Sequence, residues 1–385
     1  MTGDEKPRNK WRRLIGIVFS LASLIILTYI AITLITGGDL GLSRLSGFFP
    51  GNEPVEMANE FLFDVGRDRV FADLGDFLAA AGTLGIQVLD AGGGETLRDP
   101  YRMSVPAIVR AEGRAIAFDI GGTAVRVFNR TEIITSIETS GEIISASINR
   151  NGWFCVCIQE SGGYRGSVTV YDNRGAEAYR VSLASGYVLS AALSPDNKNL
   201  AVLNYTDGGS RVTFYNLNSE NADAAFDLPG GLILEIRYLL DNEVLAVTTD
   251  SLIVIDKDGE SRVFFSFSGR LLGGYSLDGD FIALHLLDYG IGYNGWLVSL
   301  SNDGTVCGVL GTDREIISMS VGIEYLAVLR GDGLIFYNSE LIEIPQAGEP
   351  VYTIGASRVI ALDSGAVLVT NDHSAVVCSA AEAAS

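Results

Sequence analysis

Histidine is almost missing from this chain: its 385 residues hold two, His285 and His373. His285 ends the apolar run Phe281-Ile282-Ala283-Leu284 and reads as a core or edge imidazole, while His373 falls in a loose stretch near the end. Neither has a second His, Cys or carboxylate at metal-ligand spacing, so a His-centred metal site or an activated nucleophile is not expected. Cysteine is nearly as scarce, with four residues and no Cys-x-x-Cys pair, which sets aside zinc and redox motifs. Cys155 and Cys157 alternate along Phe154–Ile158 and read as packing groups, whereas Cys307 and Cys378 lie too far apart in sequence for a pairing to be deduced. Basic residues are the third deficit: 27 Lys and Arg face 47 Asp and Glu, a net charge of -20. Phosphate binding needs clustered Lys and Arg, so nucleic acid is excluded as a partner. The residues call for no cofactor.

The basic charge that is present gathers at the N-terminus, where Lys6, Arg8, Lys10, Arg12 and Arg13 outweigh Asp4 and Glu5. Residues 14–36 follow without a charge. At a rise of about 1.5 Å per residue that run crosses roughly 30 Å of hydrocarbon as a helix. A cleaved signal peptide is the rival reading, but its apolar core is shorter and ends in a small-x-small site that Ile32-Thr33-Leu34-Ile35-Thr36-Gly37 does not supply. The expected organisation is a cytoplasmic basic tail over 1–13, a transmembrane helix over 14–36, a Gly- and Pro-punctuated linker over 37–59, a repeat domain over 60–378 and a disordered tail over 379–385. Positive charge ahead of the span keeps the N-terminus in the cytoplasm, so the repeat domain is expected to be extracytoplasmic on a single-pass cell-membrane protein.

Within that domain one phrase recurs: bulky apolar, small, apolar, then a second apolar run that usually ends in Asp or Asn. Its small residue falls at Ala79, Ala117, Cys155, Ala201, Ala246, Ala283, Ala327 and Ala361. A period of about 40 residues built from short alternating strands is the mark of a propeller blade. The fold class is therefore all-β, an eight-bladed β-propeller preceded by one N-terminal transmembrane helix, with seven blades the alternative if one unit is irregular.

Each unit parses into an inner strand, a second strand carrying the small residue, a third strand and a variable outer one. Asp or Asn at the end of the third strand suits the turn that follows, because its side chain bonds the backbone two residues on. The last unit is read as 351–354, 359–362 and 366–369, with a weak tail from His373. Its missing fourth strand is expected from Phe61–Val65, which has no partner ahead of it and would close the ring.

Ser194-Pro195-Asp196-Asn197 before Leu200-Ala201-Val202, and Ser276-Leu277-Asp278-Gly279 before Phe281-Ile282-Ala283-Leu284, resemble the turn units of WD40-like and quinoprotein-like propellers. The likeness spans roughly residues 60 to 375, although the Gly-His and Trp-Asp signatures of true WD40 repeats are absent. The order of basic tail, span and propeller also resembles a bacterial family of membrane-anchored propellers without an assigned function. The resemblance implies a fold and an address. Quinone-dependent members use Trp docking repeats, and with Trp153 and Trp296 alone outside the tail no such repeat is present.

Two groups of residues stand out as sites. The excursions 159–166 and 287–296 join second strands to third ones and, with 205–209, should emerge on one rim. Tyr164, Tyr205, Tyr289, Tyr293 and Trp296 on them are candidates for recognition, against the simpler reading of loose hairpin tips. Inner strands are otherwise small, as a crowded axis requires, so Arg110, Glu235, Arg237 and Tyr275 are the candidates for a channel site. Asp256-Lys257-Asp258-Gly259-Glu260 begins like a calcium loop but lacks its distal ligands and reads as a hairpin turn. The expected function is a membrane-anchored, non-catalytic binding or scaffolding module for a protein or cell-envelope partner. A propeller hydrolase or lactonase with a divalent cation in the channel is the alternative.

Overall fold

Short runs with apolar residues at successive positions bury both faces of a strand, which is what stacked sheets need. In the computed structural model, which describes residues 60–379 except 76, 161–162, 240–241, 278, 291, 347–354, 363–364 and 372–373, these runs form eight four-stranded antiparallel sheets, the blades of a propeller. The described residues contain no helix, and so none long and apolar enough to cross a membrane. The expected span at 14–36, the tail 1–13 and the linker 37–59 lie outside the described residues, as does 380–385. By its contacts the chain divides into Met1–Pro50 and Gly51–Ser385, and all the sheets belong to the second unit.

Blades 1 to 7 are continuous in sequence, over 70–99, 106–138, 143–183, 187–229, 233–266, 271–312 and 316–344. The eighth is composite: Arg358–Ala361 is innermost, then Ala366–Thr370, Ser374–Ser379 and, outermost, Glu60–Leu62. Glu60, Phe61 and Leu62 stand opposite Val376, Ala375 and Ser374, so the ring closes with this strand as expected, although the paired residues are Glu60–Leu62 where Phe61–Val65 was expected.

The parsing of that last unit needs correction by one strand. Ala361 lies on the inner strand, where its ladder partner is Val367, and 366–370 is the second strand where a third was expected. The third strand is Ser374–Ser379, which the sequence disguises as a weak tail. The expected inner strand 351–354 lies outside the described residues. The step from Ala327 to Ala361 is the shortest of the series, 34 residues, because it links a second strand to a first.

Among the described residues the buried apolar side chains form eight clusters, each between two neighbouring blades. Phe61, Phe63 and Val65 join Leu368 and Ala375 of blade 8 to Leu78 and Leu89 of blade 1. Ala79, Ala117, Cys155, Ala201, Ala246, Ala283 and Ala327 all have no exposed surface. A larger group there has nowhere to go, because protein interiors are close-packed.

Inner strands present a sheet edge to the axis, and several of their backbone groups are bonded by serines of a neighbouring blade. Ser276 Oγ accepts the Val321 N–H at 3.0 Å, Ser320 Oγ the Ala361 N–H at 2.9 Å and Ser318 Oγ the Val359 N–H at 3.2 Å. Ser147 Oγ donates to the Ala191 carbonyl at 2.7 Å. The small residues of the axis therefore also stitch blade to blade, satisfying groups that would otherwise be unpaired.

Antiparallel pairing gives the ring two distinct faces. Turns from first to second strand and from third to fourth emerge on one, here the turn face. Second-to-third connections and the links between blades emerge on the other, the crossover face. Glu60–Leu62, as an outer strand, runs from the turn face to the crossover face.

Candidate functional site

The two faces differ in chemistry. On the turn face, third strands end in Asp or Asn whose side chains fold the chain back. Asp90 Oδ1 accepts the N–H groups of Gly92 and Gly94, Asp172 Oδ1 those of Arg174 and Ala176, and Asn338 Oδ1 those of Glu340 and Ile342. Asp256 does the same for Asp258 and Glu260, with Gly259 at φ 83°, so the segment resembling a calcium loop is a hairpin turn. Glu112, Glu132, Glu220, Asp258, Glu260, Asp303, Glu324 and Glu340 are exposed on these turns. The crossover face is acidic as well, with Glu142, Asp207, Asp250, Asp288, Asp313, Glu315 and Asp332 exposed on its loops and links.

The crossover face also carries exposed apolar and aromatic side chains. Leu84, Val105, Ile120, Leu232, Leu271 and Ile317 are exposed there, against Val306, Ile323 and Ile342 on the turn face. Tyr164, Tyr205, Tyr289 and Tyr293 join them at 50%, 41%, 73% and 48% exposure.

The structure sorts these candidates into two groups, on either side of blade 5. Tyr164 lies in the loop of blade 3, and Tyr205 is the last residue but one of the second strand of blade 4. Opposite Tyr205 in the ladder is Tyr187, 60% exposed, a residue the sequence reading passed over. Arg165 Cζ lies 5.5 Å from the centroid of the Tyr187 ring, and its Nη1 lies 3.5 Å from the phenol oxygen. Three tyrosines and a guanidinium thus cover the crossover edge of blades 3 and 4. Tyr187 opens a strand directly after Ser185-Gly186, and that turn signal was the clue available.

Tyr289 and Tyr293 stand on the blade 6 loop, with Trp296 at its base. Trp296 is half-buried within the strand Gly295–Leu300, opposite Leu286 and Gly311. Arg270 lies over its ring at 5.3 Å and pairs with Asp288 at 3.0 Å, so it roofs the indole.

Arg110, Glu235, Arg237 and Tyr275 all reach one axial cavity of about 800 Å³, to which every blade contributes its inner strand. Arg110 Nη1 stands 3.9 Å from Oδ2 of the buried Asp73. Tyr275 donates its phenol proton to Glu235 Oε2 at 2.8 Å, across the junction of blades 5 and 6. Burial first, and the adjacent Glu235 carboxylate second, push the Tyr275 phenol above its ordinary range. Arg237 Nη1 donates to the Leu277 carbonyl. These four residues are therefore distributed around the wall in separate pairings.

Among the described residues no three His, Cys, Asp or Glu side chains come together as a metal-binding group. The four cysteines are free thiols. Burial raises Cys155 and Cys378 to about 11, so both are protonated and unreactive near neutral pH.

Comparison with known proteins agrees with the fold. The structure is similar to the C-terminal WD40 domain of Sif2, with a TM-score of 0.57 and 12% identity, covering 84% of this chain and 99% of that one. It is similar to BamB from Moraxella catarrhalis, with a TM-score of 0.53 and 15% identity over 86% and 98% of the two chains. For the Cps50 (Swd1) β-propeller domain from Myceliophteria thermophila the TM-score is 0.50 and the identity 13%, over 72% and 96%. At such identities the likeness concerns the fold alone. No curated protein matches significantly. Residues 54–267, which take in the closing strand and the first five blades, match a defined sequence family, and the chain belongs to that family, the family of unknown function DUF5711.

Proposed function

We propose that this propeller is a non-catalytic binding or scaffolding module, held on the outer side of a cell membrane by residues 14–36, and that it engages a protein or cell-envelope partner with its crossover face. One observation carries the reading: exposed tyrosines and aliphatic side chains are more numerous on the crossover face than on the turn face. Tyrosine supplies a large, rigid contact area with a polar tip, and is enriched where binding energy concentrates. Tyr164, Tyr187, Tyr205 and Arg165 form the patch expected to dominate, with Tyr289 and Tyr293 as a second contact. The anchor rests on the uncharged run after a basic cluster.

Crosslinking of the full chain in its native membrane tests the face. Tyr187→Ala with Tyr205→Ala should lose a crosslinked partner that Ile323→Ser with Ile342→Ser, on the turn face, retains. Equal recovery from both variants would overturn the assignment. The anchor is tested separately, by protease digestion of intact cells: the propeller should be cut away while residues 1–13 remain protected.

A further inference from the structure

Arg165 shows what the tyrosines of the crossover face hold. Its backbone N–H donates to the Leu183 carbonyl at 2.8 Å, which sets the blade 3 loop beside the link into blade 4, and its guanidinium lies 5.5 Å from the centroid of the Tyr187 ring. The face of an aromatic ring is negative and attracts a cation at that range. Tyr205 stands opposite Tyr187 in the ladder and is 41% exposed, yet among the described residues no guanidinium lies over its ring. Tyr164, next to Arg165, is exposed and equally uncovered. Two exposed rings therefore lack what the third has.

The charge around these rings has the matching sign. Across blades 3 to 5 the crossover loops and links span 139–142, 159–165, 184–186, 207–208, 230–232 and 249–250, and they carry Glu142, Glu160, Asp207 and Asp250 against one cation, Arg165. Glu142 stands beside the blade 3 loop, since its carbonyl accepts the Gln159 N–H at 2.8 Å. Asp207 follows Tyr205 closely, in the turn that leads from its strand to the next. Glu142, Asp207 and Asp250 are exposed and form no ion pair among the described residues. The loop acids of blades 6 and 7 differ: Asp288 is paired with Arg270 and Asp332 with Arg330, each at 3.0 Å. Exposed tyrosines and unneutralised carboxylates thus coincide on blades 3 to 5. A cation arriving there gains both a ring face and a counter-charge, whereas an anion is repelled and an apolar segment would strip water from carboxylates without replacing it.

We infer that the patch of Tyr164, Tyr187 and Tyr205 takes a Lys- or Arg-bearing segment of a partner protein, with one cationic side chain stacked on Tyr205 and neutralised by Asp207, and further basic residues facing Glu142 and Asp250. The inference rests on the crossover face being the binding face, and adds the chemical class of what binds there.

The probe is a fluorescent octapeptide of alternating Gly and Arg, titrated into the full chain in uncharged detergent micelles and followed by anisotropy, with a Gly and Glu octapeptide as its counterpart. The Arg peptide should bind saturably and the Glu peptide should not. Asp207→Asn with Asp250→Asn, which removes two charges from exposed positions and keeps their shape, should weaken binding roughly fivefold. Tyr205→Ala should weaken it roughly threefold, and Tyr205→Phe, which keeps the ring, should match the native chain. Glu324→Gln with Glu340→Gln, at exposed acids of the turn face, should change nothing. Absence of saturable binding overturns the inference, as does an equal loss from both neutralised pairs, which would reveal a general attraction of cations to an acidic chain. If the peptide result is negative while Tyr187→Ala with Tyr205→Ala still loses the native-membrane partner, the cationic class falls and the binding face stands. If the tyrosine variant also keeps the partner, both fall.

Discussion

Phe61 stands directly opposite Ala375, and through that pair the first described strand becomes the outer edge of the last blade. The Phe61 ring is 1% exposed and packs with Phe63 against residues of blades 8 and 1, while Leu62 between them is 70% exposed. Phe61→Ala should therefore cost about 3–5 kcal/mol, and Leu62→Ala at most about 0.5 kcal/mol. Thermal unfolding of the two variants checks this. Similar losses would mean that the strand adds little to closure.

Asn338→Ala removes the oxygen that accepts the N–H groups of Glu340 and Ile342 in the blade 7 turn. A loss of about 1 kcal/mol is expected in urea unfolding, with Asn338→Asp retaining most of the stability because a carboxylate accepts the same bonds.

Two sets of buried groups give stability opposite dependences on pH. Tyr101, Tyr238 and Tyr275 have phenols raised by burial, so their contribution is complete below the unfolded value of about 10 and is lost as pH rises beyond it. His285 is lowered from 6.5, so its contribution is complete above that pH and is lost as pH falls through the folded value. Denaturation midpoints across pH should decline on both sides. His285→Leu should remove its part of the acid-side decline, and an unchanged acid limb would show that the histidine is not linked to folding.

Cys155, Cys157 and Cys378 are buried, and Cys307 is half-exposed on the outer strand of blade 6. A thiol reagent should modify Cys307 rapidly in the native chain and the other three only on unfolding. Cys307→Ser should abolish the fast phase.

The propeller was legible because packing between blades imposes a small second-strand residue on each of blades 1 to 7. Closure by the N-terminal strand was legible too, since a lone alternating segment at 60–65 needed a partner. Blade 8 was misread by one strand because Ala361 mimics the second-strand alanine from an inner position, and because Ser374-Ala375-Val376-Val377 lacks the Asp or Asn that ends six of the other seven third strands. Serine at the axis looked like a concession to crowding, and its bonds to the next blade depend on an inter-blade register that no local pattern encodes. The contrast between the faces was hidden for the same reason: Leu84, Tyr187 and Ile317 are far apart in sequence, and only strand direction places them on one side. His285 was legible as a core or edge imidazole, whereas its place opposite Gly274 at the wall of the axial cavity requires the ladder pairing.

Closure by Glu60–Leu62 also sets an order of events as the ribosome makes this chain. The strand that completes the ring is synthesised before blade 1, while its partner Ser374–Ser379 comes after every other strand described. Phe61 and Phe63 must therefore wait, exposed, through the making of seven blades. A chain truncated before Ser374 has a ring without a latch, and should be the form that chaperones hold and proteases clear.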